Sequence, residues 1–132
     1  MKDLLCDGFQ EAVDEYLIRH RSILDVLSKL GESSGRVNRA VAKAVTSCGC
    51  IQIDATKQSI PPDIGSLASI KDHMKDHVEG HLCEHCGEIL EDEIGRNLFY
   101  LAALCNILDL NLYDILLKEQ ERVTCLGIFN FS

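Results

Sequence analysis

Tryptophan is absent from the 132 residues, and aromatic side chains make up only 5% of them. Platforms for stacking bases are therefore poorly provided for. Basic residues are also scarce: 13 Lys and Arg against 21 Asp and Glu leave a formal charge of -8, which repels a polyphosphate backbone unless a local patch overrides it. Arg36, Arg39 and Lys43 form one short basic stripe amid acidic surroundings, so nucleic acid is not an expected partner. Long apolar runs are missing too. The longest, Leu98 to Cys105, has eight residues, well under the ~18 to 20 that cross a bilayer, and a membrane span is excluded. The segment Met1-Lys2-Asp3-Leu4-Leu5-Cys6-Asp7 places acidic residues where an export signal needs a basic stretch followed by a longer apolar one. That reading predicts a cytoplasmic protein.

What remains is a helical pattern. With 46% hydrophobic and 26% charged residues, the chain fits one domain over 1–132 with one core. Between Phe9 and Val45 there is no proline, and two helices are predicted to meet near Arg19 to Ser22, with Ser22 and Asp25 opening the second. Ile23, Leu27, Leu30, Val37, Val41 and Ala44 fall on one stripe, with Ser34 filling its gap. From about 47 to 88 the pattern dissolves into an irregular connector holding Cys48-Gly49-Cys50, Ile51-Gln52-Ile53 and Pro61-Pro62. A polar helix over roughly Leu67 to Leu82 is expected inside it. Ile94, Leu98, Leu101, Leu104, Cys105 and Leu108 mark a strong apolar face beyond Ile89, Asn111 caps a last helix, and the apolar tail from Gly127 to Ser132 is expected to dock on the core or on a second subunit. The fold class is all-α, an antiparallel helical bundle with an irregular cysteine-containing connector.

Seven cysteines, an odd number without an export signal, read as thiols and metal ligands rather than a disulfide framework. Cys48-x-Cys50 and Cys83-x-x-Cys86 supply two pairs, and tetrahedral Zn²⁺ takes four sulfurs at about 2.3 Å. His81 and His85 are substitute ligands, and unligated thiols at two helix ends are the alternative. A redox C-x-x-C lacks its strand-then-helix context. Cys6, Cys105 and Cys125 read as small apolar residues. His73, His77, His81 and His85 recur every fourth residue. On a helix adjacent pairs can share a metal, although Asp72, Asp76 and Glu79 make an ordinary polar face the simpler reading.

Two segments carry a family resemblance. The stretch from Lys29 through Gly31-Glu32-Ser33-Ser34-Gly35-Arg36 to Val41, and Glu93-Ile94-Gly95-Arg96-Asn97-Leu98-Phe99-Tyr100-Leu101, resemble the two signature helices of MazG-like nucleoside triphosphate pyrophosphohydrolases. Asp109-Leu110-Asn111-Leu112 resembles the turn after the second helix. The resemblance covers about half the chain and implies a dimeric helical bundle in which E-E-x-x-E and E-x-x-D motifs hold Mg²⁺ against a nucleoside triphosphate. The family's metal positions fall on Glu32, Ser33, Arg36, Glu93 and Arg96. Two glutamates, two arginines and a serine carry no net charge, and a hard cation needs several anionic oxygens. The 56 residues between Arg36 and Glu93 also exceed the family's connector. Glu91 and Asp92 turn away from Glu93 by about 200° and 100° around the helix.

Three functions follow as expectations. The first is a non-catalytic binding or regulatory relative of the pyrophosphohydrolases, a homodimer in which Arg36 and Arg96 bridge across helices to Glu32 and Glu93 in buried pairs or hold a nucleotide or other anion, the remaining alternative being a misplaced alignment with both arginines simply exposed. The second is an active pyrophosphohydrolase with a rewritten site, using Glu32, Glu93 and Asp92 for metal and the arginines for phosphates. The third is a zinc-stapled interaction module whose partner is a protein helix or a second copy of the chain.

Overall fold

A computed structural model describes residues 2–127. Five helices and one two-stranded sheet follow in the order α1 (Lys2–Tyr16), α2 (Ile23–Lys43), β1 (Ile51–Ile53), α3 (Leu67–Ile70), β2 (Val78–Gly80), α4 (Glu84–Ile107) and α5 (Leu112–Leu126). The protein is mostly helical, and the helix starts obey local chemistry. Ser22 is extended and its hydroxyl accepts the Leu24 N–H, while Asp25 lies in the first turn of α2 and Lys43 in its last. Asn111 caps α5 by accepting the Asp114 N–H. Asp109, at φ 58°, reverses the chain after α4, and the Leu110 N–H closes onto the Cys105 carbonyl at 2.8 Å. Beyond Gly127 the apolar tail lies outside the described residues.

α2 and α4 pack antiparallel along their lengths. Val26 meets Ala102 and Ala103 at one end, Asn97 reaches Ser33 and Ser34 in the middle, and Cys48 approaches Cys83 at the other. The core is small: Val13, Val26, Ala102 and Ala103, with Leu17, Phe99, Leu104 and Leu112 packed against it. Gln10 ties α1 to the turn before α5, its side chain donating to the Leu110 carbonyl at 2.7 Å and accepting the Leu112 N–H at 2.8 Å.

The buried rows differ in part from those read in the sequence. Of the stripe read along α2, Ala44 is buried and Ile23, Leu30 and Val37 are half-buried, but Leu27, Ser34 and Val41 are exposed, and Val26 and Ser33 from the neighbouring row are inside. On α4, Cys105 is buried and Leu101 and Leu104 are half-buried, but Ile94, Leu98 and Leu108 face outward. Neighbouring rows on a helix stand about 100° apart and both carry apolar residues here, so only the partner helix chooses between them. Cys125, read as apolar filling, is exposed, and Cys6 is half-buried.

The connector also departs from expectation. In place of a helix from Leu67 to Leu82, α3 and a single 3₁₀ turn over Lys71–His73 give way to extended chain. β2 then pairs antiparallel with β1, Ile51 opposite Gly80 and Ile53 opposite Val78. His77, at φ 61°, turns the chain into the ladder, and its carbonyl accepts the Asp54 N–H at 2.9 Å. The four-residue histidine repeat therefore never shares a helical face. No single helix among the described residues is long and apolar enough to cross a membrane.

The packing leaves much surface open. The chain exposes 9968 Å², against about 6,900 Å² for a compact monomer of its mass, 14.7 kDa.

Candidate metal centre

Four cysteines from opposite ends of the connector meet where α2 ends and α4 begins. After Lys43 the backbone widens into a π-helical turn, Ala44–Cys48, which ends at Gly49 with φ 80° and its N–H on the Ala44 carbonyl at 2.9 Å. That left-handed step costs glycine nothing and places Cys48 and Cys50 on either side of it. Cys50 leads directly into β1, which pairs with β2, and β2 leads back to Cys83. The hairpin is thus the device that returns the chain to its starting point.

Cys83 is itself the N-cap of α4, so Cys83-x-x-Cys86 does follow a strand and open a helix, contrary to the context read from the sequence. Its sulfur accepts the Cys86 N–H at 3.4 Å, a role usually filled by Ser, Thr, Asp or Asn. The sulfurs of Cys48, Cys50, Cys83 and Cys86 all lie within 4.8 Å of one another, and those of Cys48 and Cys83 are 3.8 Å apart. A tetrahedral site with metal–sulfur lengths of about 2.3 Å has sulfur–sulfur edges of about 3.8 Å. Four sulfurs at these separations could hold a soft or borderline ion such as zinc. All four cysteines are free thiols.

The titration of the cluster is uneven. The Cys86 backbone N–H, followed by the Cys86 thiol, holds the Cys83 thiol down at about 7. Cys86 is pushed up to about 12, first by its hydrogen bond with Cys83 and then by burial. The Cys50 N–H pulls Cys48 down, but Cys83, Cys50 and burial outweigh it, and that thiol stands above its ordinary value. The cluster therefore shares one readily formed thiolate, centred on Cys83, which is the species a metal captures first.

The substitute ligands are not part of this group. His85 lies on the first turn of α4 and lines a cleft with Lys43, Cys48 and Cys86, while His81 is exposed just before the helix. Neither joins the four-sulfur cluster.

Glu32, Ser33, Arg36, Glu93 and Arg96 form a different arrangement from the expected one. Arg36 pairs with Glu32 on α2 at 3.4 Å, and Arg96 pairs with Glu93 on α4 at 2.9 Å. Both bridges lie within one helix and both arginines are exposed, so the expected buried cross-helix bridges do not form. The i,i+4 and i,i+3 spacings put each arginine nearer its own helix's carboxylate than the other's. Glu32 is lowered chiefly by its hydrogen bond from Lys29, 3.4 Å away. Ser33 is 2% exposed and donates to the Leu30 carbonyl, and Asn97 donates to both Ser33 and Ser34 at 3.0 Å. The centre of the α2–α4 interface is thus a serine–asparagine network. Glu91 and Asp92 are exposed.

Sequence reasoning missed Asn97, the capping role of Cys83 and the need for Gly80. The alternation Ile51-Gln52-Ile53 and the triplet Val78-Glu79-Gly80 were the available signals for the hairpin. No protein-family model matches the chain, and no curated protein or solved structure does either.

Proposed function

We propose that the protein is a non-catalytic, MazG-like binding protein that works as a homodimer and is held together by a structural zinc ion on Cys48, Cys50, Cys83 and Cys86. The observation that carries this reading is the convergence of four sulfurs within 4.8 Å at the junction of two helices. Two ligands come from the end of α2 and two from the start of α4, so one ion closes the connector. The ion stabilises the fold by about as much as it gains on binding, because the unfolded chain holds no such site.

The Glu32–Arg36 and Glu93–Arg96 pairs support the absence of catalysis: each guanidinium sits on one oxygen of its carboxylate and places a positive charge where magnesium would need anionic ligands. Beside them a groove of about 390 Å³ is lined by Arg39, Lys43 and Ile89 together with Arg36 and the two glutamates. Arg39 and Lys43 have no acidic partner among the described residues, which suits a small anion such as a nucleotide phosphate. Dimerisation is supported by an excess surface of roughly 3,000 Å² per chain, part of which belongs to the exposed connector. It is also supported by the outward apolar rows of α2 and α4. In an antiparallel pair Leu27 and Val41 fall on the same side as Ile94 and Leu98, opposite the charged groove.

Elemental analysis of protein purified under reducing conditions is expected to find one zinc per chain. A panel of nucleoside triphosphates with Mg²⁺ or Mn²⁺ is expected to give no turnover. Metal-dependent release of monophosphate and pyrophosphate that disappears in Glu93→Gln would make the protein an enzyme, and absence of metal would remove the zinc from the reading.

A further inference from the structure

The four thiols are more accessible than those of an enclosed structural site. Cys48 is exposed and Cys50, Cys83 and Cys86 are half-buried, whereas Cys105 is sealed in the core. Cys48 and Cys83 stand 3.8 Å apart in space and 35 residues apart in sequence. Each sits at the end of an element: Cys48 closes the π-turn before Gly49, and Cys83 is extended just ahead of α4. A disulfide needs a sulfur–sulfur distance of about 2.05 Å, which side-chain rotation and a small shift at two chain ends supply without entering either helix.

We propose that the cluster is also an oxidant-sensitive modification site, in which a hydroperoxide joins Cys48 to Cys83 as a disulfide and the metal leaves. The Cys83 thiolate attacks the peroxide oxygen, the O–O bond breaks, and a sulfenic acid forms on Cys83 while the alcohol or water departs with a proton. The exposed Cys48, as its thiolate, then attacks the Cys83 sulfur, the S–O bond breaks, and hydroxide leaves to be protonated to water. Two thiols are oxidised by two electrons and one hydroperoxide is reduced. Cys50 and Cys86 alone do not fill a tetrahedral site, so the ion is released. The new bond spans the same two elements that the metal joins. The end of α2 and the start of α4 therefore stay tied in the oxidised protein and come apart only when it is both reduced and metal-free.

The metal release rests on the zinc reading above, but the disulfide needs only the two sulfurs. The test is graded hydrogen peroxide on the full chain, with released zinc followed by a chromogenic chelator and cross-links mapped by fragmentation mass spectrometry. The expected result is one zinc released for each Cys48–Cys83 bridge, reversal by dithiothreitol plus zinc, and Cys105 left unmodified. Oxidised metal-free protein is expected to melt well above reduced metal-free protein. Cys48→Ser is expected to abolish the bridge, and because that variant loses a ligand, the same mapping on metal-free wild-type protein provides the independent check. A chain that purifies without metal yet forms the bridge would end the zinc reading and with it the metal release, and would uphold the Cys48–Cys83 disulfide. Oxidation only to sulfinic acids, a Cys83–Cys86 bridge, or intermolecular links through Cys125 would overturn it.

Discussion

Gly80 sits at φ 86°, and a Cβ built on it would lie 2.6 Å from the Cys50 carbonyl oxygen. The contact is with backbone rather than a flexible side chain, so the hairpin must open for any larger residue to fit. Cys50 belongs to the four-sulfur cluster, so if that cluster holds zinc as proposed, Gly80→Ala is expected to weaken its binding by about 10- to 100-fold, the range seen when groups supporting a metal ligand are disturbed. Competition with a chelator of known affinity measures this. Gln10 makes a similar point away from the site. Gln10→Ala strands the Leu110 carbonyl and the Leu112 N–H, and the expected cost is about 1–3 kcal/mol by urea denaturation. A pH dependence follows from Cys83 and Cys86 in the reduced, metal-free protein. The lowered Cys83 contributes stability that is complete above the ordinary value of 9.0 and is lost as pH falls through about 7. The raised Cys86 contributes stability that is complete below 9.0 and is lost as pH rises toward about 12. Melting temperature is therefore expected to rise from pH 7 to 9 and fall above it.

Among the elements, α4 is the one whose start serves two purposes. Cys83 caps the helix and offers a metal ligand, and serine is a good cap but a poor zinc ligand. Cys83→Ser is therefore expected to keep the helix content, read by circular dichroism, while losing the zinc and the thermal stability that depends on it. The helices of the bundle were legible where the deciding chemistry is local. Ser22 and Asn111 announce their helices because a cap bonds to an amide two or three residues away. The hairpin was not legible for the opposite reason. His77, Val78 and Gly80 take their conformation from a strand far back in the chain, and the histidine repeat suggested a helix that this pairing overrides.

At the scale of the whole molecule, the small core and the open surface are two sides of one fact. Among the described residues seven apolar ones are buried, while Leu27, Val41, Ile94 and Leu98 on the two longest helices remain open to solvent. If a second copy covers that face, light scattering after gel filtration is expected to give twice the chain mass of 14.7 kDa. Leu98→Glu is then expected to shift the protein to monomer, since a carboxylate in an apolar interface is desolvated without a partner. A wild-type protein that elutes and scatters as a monomer would contradict the assembly.

By itself, the sequence determined the helical class, the caps that open α2 and α5, and the two cysteine pairs, because propensity, capping and ligand spacing act over a few residues. It also determined that Glu32, Ser33, Arg36, Glu93 and Arg96 together carry no net charge, since that depends on residue identity alone. Only the tertiary structure decided which row of each helix is buried, that Arg36 and Arg96 pair within their own helices, and that His81 and His85 stand apart from the cluster. It alone brought Cys48 to within 3.8 Å of Cys83. The physical reason is that a helix offers adjacent apolar rows of similar merit and a long connector offers many closures, and only packing against the opposite element selects one.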